Sequence, residues 1–255
     1  MDSNEGKISS LTKDKLEYIE SRIKLFEEIG IPNDPNILYS KAMVLIDKEM
    51  LNESIELLIK ALKVAKENKM IQDIYYSLGL AEYDLYNYDK SIEYYNEYIK
   101  LNTKNPYAYN NIGAAYQGLK DYPNALAYYD IAQKVDPFLD LPYRNKARIL
   151  LELNKIPEAK ICIDEAMKRD KDNIQNYHIL ARIFLHEQNS NYENILHQIN
   201  NLYKDKHSKN MLNIGELLNY YENLIMLNIF DDAANIELYI ANILTNKNKR
   251  YIIIM

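Results

Sequence analysis

The 255 residues contain one cysteine, six glycines, seven prolines and no tryptophan. A single thiol, Cys162, excludes an intramolecular disulfide. Lying in a helical run with no Cys or His at ligand spacing, it reads as a buried or half-buried inert side chain rather than a nucleophile. So little glycine and proline favours helices with short connections over a turn-rich β protein. No segment approaches the roughly 18 uninterrupted apolar residues of a membrane span, and the first thirty residues lack an apolar run of signal-peptide type. The expected location is therefore cytoplasmic. Lys and Arg number 31 against 37 Asp and Glu, a net charge of −6 and a pI near 5.4. That balance argues against a nucleic-acid partner, which needs a basic face.

Chemistry is equally sparse. There is no phosphate-binding loop, no H-E-x-x-H, no C-x-x-C and no G-x-S-x-G. No set of titratable residues converges, so neither an enzyme, a metal site nor a cofactor is expected. His178 and His186 are eight residues apart on one predicted helix face, too distant to share a metal ion without help. His197 belongs to the next helix, and all three read as solvated or hydrogen-bonded side chains. The paired acids Asp231-Asp232 stand at a predicted helix start, where the helix dipole accounts for them.

What the chain does have is tyrosine, 24 of them, and a period. The stretch Tyr109-x2-Ile112-Gly113-x2-Tyr116 is followed by Ala125-x3-Tyr129, Ala132 and Pro137. Thirty-four residues earlier stand Tyr75-x2-Leu78-Gly79, then Ser91, Tyr95 and Tyr98. Thirty-four later stand Tyr143-x2-Lys146-Ala147-x2-Leu150, then Ala159-x3-Ile163 and Ala166. Pro123 recurs as Pro157, just inside the start of a helix, where the missing N–H costs nothing. This pattern resembles the tetratricopeptide repeat (TPR), W-x2-L-G-x2-Y…A-x3-F…P at a period of about 34, with tyrosine keeping the aromatic volume. Small residues at Gly79, Gly113 and Ala147 are expected where two antiparallel helices cross closely. The fold implied is all-α, an α-α superhelix of about six helical hairpins with an extra N-terminal helix.

The expected organisation follows in order. Residues 1–34 hold a polar lead and a capping helix with Leu16, Ile19, Ile23 and Phe26 at helical spacing, closed by Gly30 and Pro32. Residues 35–205 hold five repeats. The first places Ala42, Ser54, Leu58 and Ala61 at the patterned positions. From Ser54 to Ser91 is 37 residues, and the three extra are read as a longer second helix through LKVAKENKM. The fifth repeat, Tyr177-x2-Leu180-Ala181-x2-Phe184, needs two added residues around Asn189–Asn191 to bring Ile195, Ile199 and Leu202 into register. Residues 206–255 hold a degenerate hairpin, Met211–Leu227 and Asp231–Leu244, and the apolar tail YIIIM. The polar stretch Lys204–Asn210 is read as the connector before it.

The resemblance implies a function as well as a fold: TPR proteins hold peptide segments of partner proteins in the groove lined by the first helix of each repeat. Here that face offers Tyr39, Met43, Tyr76, Leu80 and Tyr83, then Tyr107, Asn110, Asn111, Ala114 and Gln117, then Arg144, Arg148, His178 and Arg182. Arginine is rare in this lysine-rich chain, and three of its six fall on this face. Arg144, Arg148 and Arg182 are expected to converge, and their planar forks suit an acidic or C-terminal carboxylate. The alternative for these arginines is a solvated face neutralised by neighbours such as Glu152 and Glu187. The carboxylate-clamp pattern of some TPRs is not met: Asn111 fits, but Tyr76 and Leu80 precede it and Leu141 and Asn145 follow. The leading expectation is a non-catalytic protein–protein interaction scaffold. The alternative is a structural protein that self-assembles into a homo-oligomer through its C-terminal hairpin and tail.

Overall fold

Helices separated by three to five residues make up the chain from the second helix to the eleventh. In the computed structural model the described residues are 13–28, 33–209, 212, 214–227, 229, 232, 233 and 235–237, and every regular element among them is helical. The chain divides into two compact units, residues 1–149 and 150–255, with the division inside one helix.

The first unit contains α1 (Lys13–Glu28), α2 (Pro35–Asp47), α3 (Leu51–Val64), α4 (Asn68–Asp84), α5 (Tyr88–Leu101), α6 (Pro106–Gly118), α7 (Tyr122–Val135) and most of α8 (Leu141–Glu152). α2 pairs with α3, α4 with α5 and α6 with α7. Each pair packs on the next through α3 against α4 and α5 against α6, and α1 lies against α2. The second unit contains α9 (Ile156–Arg169), α10 (Ile174–His186), α11 (Tyr192–Ser208) and α12 (Ile214–Met226), each packed on its chain neighbour.

Local chemistry starts and stops these helices. Asp34 and Asn105 accept from the N–H groups of Asn36 (2.8 Å) and Tyr107 (3.0 Å), with Pro35 and Pro106 in the first turn, where proline is tolerated. Pro123 and Pro157 likewise stand in the first turns of α7 and α9. The ends of the first helices are less usual. Glu49, Tyr86, Lys120, Asn154 and Gln188 all have φ between 52° and 63°. Each is followed by a residue whose N–H reaches five back, as from Asn87 to the Glu82 carbonyl (2.9 Å) and from Asp121 to that of Tyr116 (2.9 Å). This is the left-handed helix terminator that glycine normally occupies, built five times without glycine.

Helix crossings follow the expected small-to-large pairing. A Cβ on Gly79 would come 2.9 Å from the Tyr95 ring, and one on Gly113 would come 2.6 Å from the Tyr129 ring, so glycine is required at both. Both rings are fully buried. Where the crossing residue is alanine the large partner is aliphatic: Ala42 shares a core cluster with Leu58. Ala181 and Ile199, at the same repeat positions, are both buried in the second unit. Tyr98 occupies a place that is alanine in the neighbouring repeats, and Ala108 joins it in one cluster where the preceding repeat has Ile74.

Two boundaries differ from the sequence reading. The three extra residues after the first repeat do not extend α3, which ends at Val64 like the other 14-residue second helices; they lengthen α4 to 17 residues at its start. Ala65 is extended (ψ 135°), so tertiary packing overrides the helix propensity of Ala-Lys-Glu. Lys204–Asn210 is not a connector, because α11 continues to Ser208. Its last turns still have apolar work: Tyr203 is buried and stacks on Tyr220 at 5.2 Å. The two-residue insertion falls as expected, with Asn191 just before α11 and Ile195 and Ile199 buried, but Leu202 is only half-buried and Tyr203 takes the inner place. The polar lead, Gly30, Pro32, Asp231 and the YIIIM tail lie outside the described residues, as does most of the helix expected over 231–244.

Candidate partner-binding face

Within the first unit, the first helices of successive repeats are joined sideways by one repeated hydrogen bond. Tyr39 Oη lies 3.2 Å from Ser77 Oγ, joining α2 to α4. Asn111 Nδ2 donates to Tyr76 Oη (3.3 Å), joining α4 to α6. Asn145 Nδ2 donates to Asn110 Oδ1 (3.0 Å), joining α6 to α8. Tyr39, Tyr76 and Asn110 hold one position in three repeats, and Ser77, Asn111 and Asn145 hold the next position of the repeat that follows. Asn111 also donates to the buried Tyr95 hydroxyl (3.0 Å). These buried amides and phenols satisfy one another, which fixes the lateral register of the four helices.

That row determines what each predicted face residue can do. Tyr39 and Tyr76 are half-buried, and burial raises both phenol pKa values, that of Tyr76 to about 12 against the lowering effect of its bond to Asn111. Leu80 is buried, Met43 and Tyr83 are half-buried, and Tyr107 is 45 % exposed. Met43 Sδ receives a weak bond from Ser77 Oγ at 3.9 Å. Asn110 and Asn111 are buried members of the row rather than open side chains. Ala114 and Gln117 are half-buried, and Gln117 Oε1 accepts from Tyr129 Oη (3.0 Å).

The arginines differ in their surroundings. Arg144, read from sequence as an open guanidinium, is 1 % exposed and bonds Asp140 one turn back on its own helix at 2.8 Å. Asp140 is thus a neutralising neighbour of Arg144. A buried guanidinium needs such a partner, and Arg144 is part of the wall. Arg148, one turn on, is half-buried and has no hydrogen bond or carboxylate within salt-bridge distance among the described residues. Its charge is felt by Tyr83, where burial and neighbouring Tyr88 raise the phenol pKa and Arg148 opposes them. Arg182, the third member of the expected cluster, belongs to the second unit and is exposed. His178, also of the second unit, is half-buried with Nε2 2.9 Å from Tyr203 Oη.

Ser77 and Asn145 are the side chains the sequence reading omitted from this face. They stand one place after the groove position, so a search for complementary polar pairs 35 residues apart would find Asn111 with Tyr76 and Asn145 with Asn110. Among the described residues no three His, Cys, Asp or Glu side chains are grouped to hold a metal ion. No described helix is long and apolar enough to cross a membrane. Cys162 is half-buried on α9.

Family models of the tetratricopeptide repeat match residues 39–107 and 106–139. No curated protein matches the chain. Solved structures share the fold at low identity. TTC0263, a TPR protein of Thermus thermophilus, is 16 % identical with a TM-score of 0.57, covering 75 % of this chain and 99 % of that one. YrrB, described as a TPR protein with an unusual peptide-binding site, is 20 % identical with a TM-score of 0.55, covering 65 % and 84 %. MamA is 21 % identical with a TM-score of 0.55, covering 63 % and 91 %. Residues 39–139 thus carry tetratricopeptide repeats: family models match them, their helices pair as those repeats require, and the fold is shared with these structures.

Proposed function

We propose that the chain is a non-catalytic docking scaffold whose first unit holds a segment of a partner protein along the side-by-side first helices α2, α4, α6 and α8. The observation that carries this reading is the row of hydrogen bonds from Tyr39 to Asn145. It joins the first helices of successive repeats at three junctions, in addition to the seam that each makes within its own hairpin, and alignment is what a continuous wall needs. The wall so aligned mixes aromatic and aliphatic area at Tyr39, Met43, Tyr83 and Tyr107 with a guanidinium at Arg148 that no described carboxylate pairs. Aromatic and arginine side chains at partly exposed positions are the usual anchors of protein interfaces. That YrrB, a chain of the same fold, has a peptide-binding site makes a peptide segment the first ligand to test. On this reading residues 35–205 are the repeat region, flanked by residues 1–34 and 206–255.

The experiment is capture of partners by the wild type, by a wall variant (Met43→Ala with Tyr107→Ala) and by an outer-face control (Lys60→Ala). A partner retained by wild type and control but lost from the folded wall variant supports the reading. A partner set indifferent to the wall variant refutes it.

A further inference from the structure

Of the five left-handed helix ends, four carry Glu49, Lys120, Asn154 and Gln188, and the fifth carries Tyr86 at φ 63°. A bulky aromatic residue in that region is an outlier that stores strain. The strain is not offset by burial, because Tyr86 is 67 % exposed. Its ring instead meets Tyr88 edge-on at 6.2 Å and 89°, and Tyr88 meets Tyr83 at 5.4 Å and 62°. Tyr88 needs a glycine to sit there: a Cβ on Gly118 would lie 2.4 Å from its ring. A strained backbone and a glycine at a helix end therefore both serve one tyrosine cluster on the surface of the second repeat. That cluster begins at Tyr83, on the wall already described, within electrostatic reach of Arg148. Tyr83 and Arg148 stand on α4 and α8, and the intervening α6 has the small side chain of Ala114 at the repeat position of Arg148.

Arg148 differs from Arg144 and Arg169, whose guanidinium groups lie 2.8 Å from Asp140 and Glu165. Half-buried Arg148 has no such carboxylate among the described residues, so its fork is left to bond an incoming anion, and charge-assisted bonds of this kind are stronger than neutral ones. The exposed tyrosine edges offer flat apolar area beside it.

Resting on the docking reading above, we infer that Arg148 and the cluster Tyr83–Tyr88–Tyr86 form one two-part subsite for a carboxylate and an adjacent aromatic side chain of the same docked segment. The carboxylate comes from an acidic side chain or from a chain terminus, and both are covered by the test.

The probe is an array of synthetic peptides pairing Asp or Glu with Phe, Tyr or Trp at short separations, each as C-terminal amide and free acid, with Asn and Gln counterparts. The best binder is then followed by fluorescence anisotropy. Acidic–aromatic peptides are expected to bind about tenfold tighter than their Asn or Gln forms. If only free-acid peptides bind, the chain terminus is the source of the carboxylate; if amides bind equally, it is the side chain. Arg148→Met should remove the discrimination between acid and amide side chains or termini. Tyr86→Gly should weaken binding several-fold while the melting temperature holds or rises, since glycine relieves the strained φ, and this separates lost contact from lost fold. Absence of acidic preference in the wild type, or wild-type binding by both variants, overturns the inference. Should Met43→Ala with Tyr107→Ala abolish binding while Arg148→Met and Tyr86→Gly do not, the wall stands and the two-part subsite falls; if none of them matters, both fall.

Discussion

Adding one methyl group to Gly113 tests the helix crossing most directly. Alanine is a better helix former than glycine by about 1 kcal/mol, so an exposed position would gain from the change. Here the new Cβ would lie 2.6 Å from Tyr129 Cε1, 2.8 Å from Cδ1 and 3.1 Å from the Ala125 carbonyl oxygen. The ring cannot swing aside, being fully buried with its hydroxyl bonded to Gln117 at 3.0 Å. Overpacking of this kind costs about 1–3 kcal/mol, and contacts this short on a fixed ring belong in the upper half of that range, so the cost outweighs the propensity gain and leaves Gly113→Ala less stable by about 1–2 kcal/mol. Elsewhere in the chain alanine at this position goes with Leu58 or Ile199 in place of the tyrosine. Gly113→Ala should therefore be harmless, or stabilising by about 1 kcal/mol, when Tyr129→Leu is already present. Urea denaturation of the four proteins of this cycle gives the coupling directly, and it should exceed about 1 kcal/mol in favour of the double variant. Simple additivity, or a Gly113→Ala single variant as stable as wild type, would refute the crossing as the cause.

Three further outcomes are expected. Ser54 and Ser91 share a repeat position, but Ser91 Oγ donates to the Gly79 carbonyl (2.8 Å) while the fully buried Ser54 Oγ has no partner among the described residues; by urea denaturation Ser91→Ala should cost about 1 kcal/mol and Ser54→Ala should be neutral or stabilising. Lys120→Gly, at φ 60°, should raise stability by up to about 1 kcal/mol in thermal melts, since left-handed φ favours glycine. Alkaline unfolding should begin once unfolded tyrosines titrate near 10, because Tyr95 is held well above that value and Tyr76 at about 12, both chiefly by burial. The native state then keeps protons that the unfolded chain has lost, so stability is full below pH 10 and falls as pH rises toward 12. Tyr76→Phe should flatten that slope, read from denaturation midpoints across the range.

Spacing made the hairpins legible. Gly79, Gly113 and their tyrosines recur at a fixed interval because a close crossing leaves no other choice of side chain, and Pro123 and Pro157 mark helix starts for a similarly strict reason. The lengthened α4 was not legible, since Ala65-Lys66-Glu67 favours helix on propensity and only packing breaks it there. Nor was the state of the arginines. Arg144 and Arg148 look alike on a helical projection, yet Asp140 stands one turn before the first, and no such acid meets the second among the described residues. A projection counts faces; it does not say which charge has already been answered. The sideways row from Tyr39 to Asn145 escaped for a related reason, because its partners sit 38 and 35 residues apart and join repeats rather than completing one.

That row bears on how such a chain lengthens or shortens over generations. Hydroxyls and carboxamides can each donate and accept a hydrogen bond, so any of Tyr39, Tyr76 and Asn110 can face any of Ser77, Asn111 and Asn145. Excising one 34-residue module, or copying one in, would leave every seam with a chemically compatible mate.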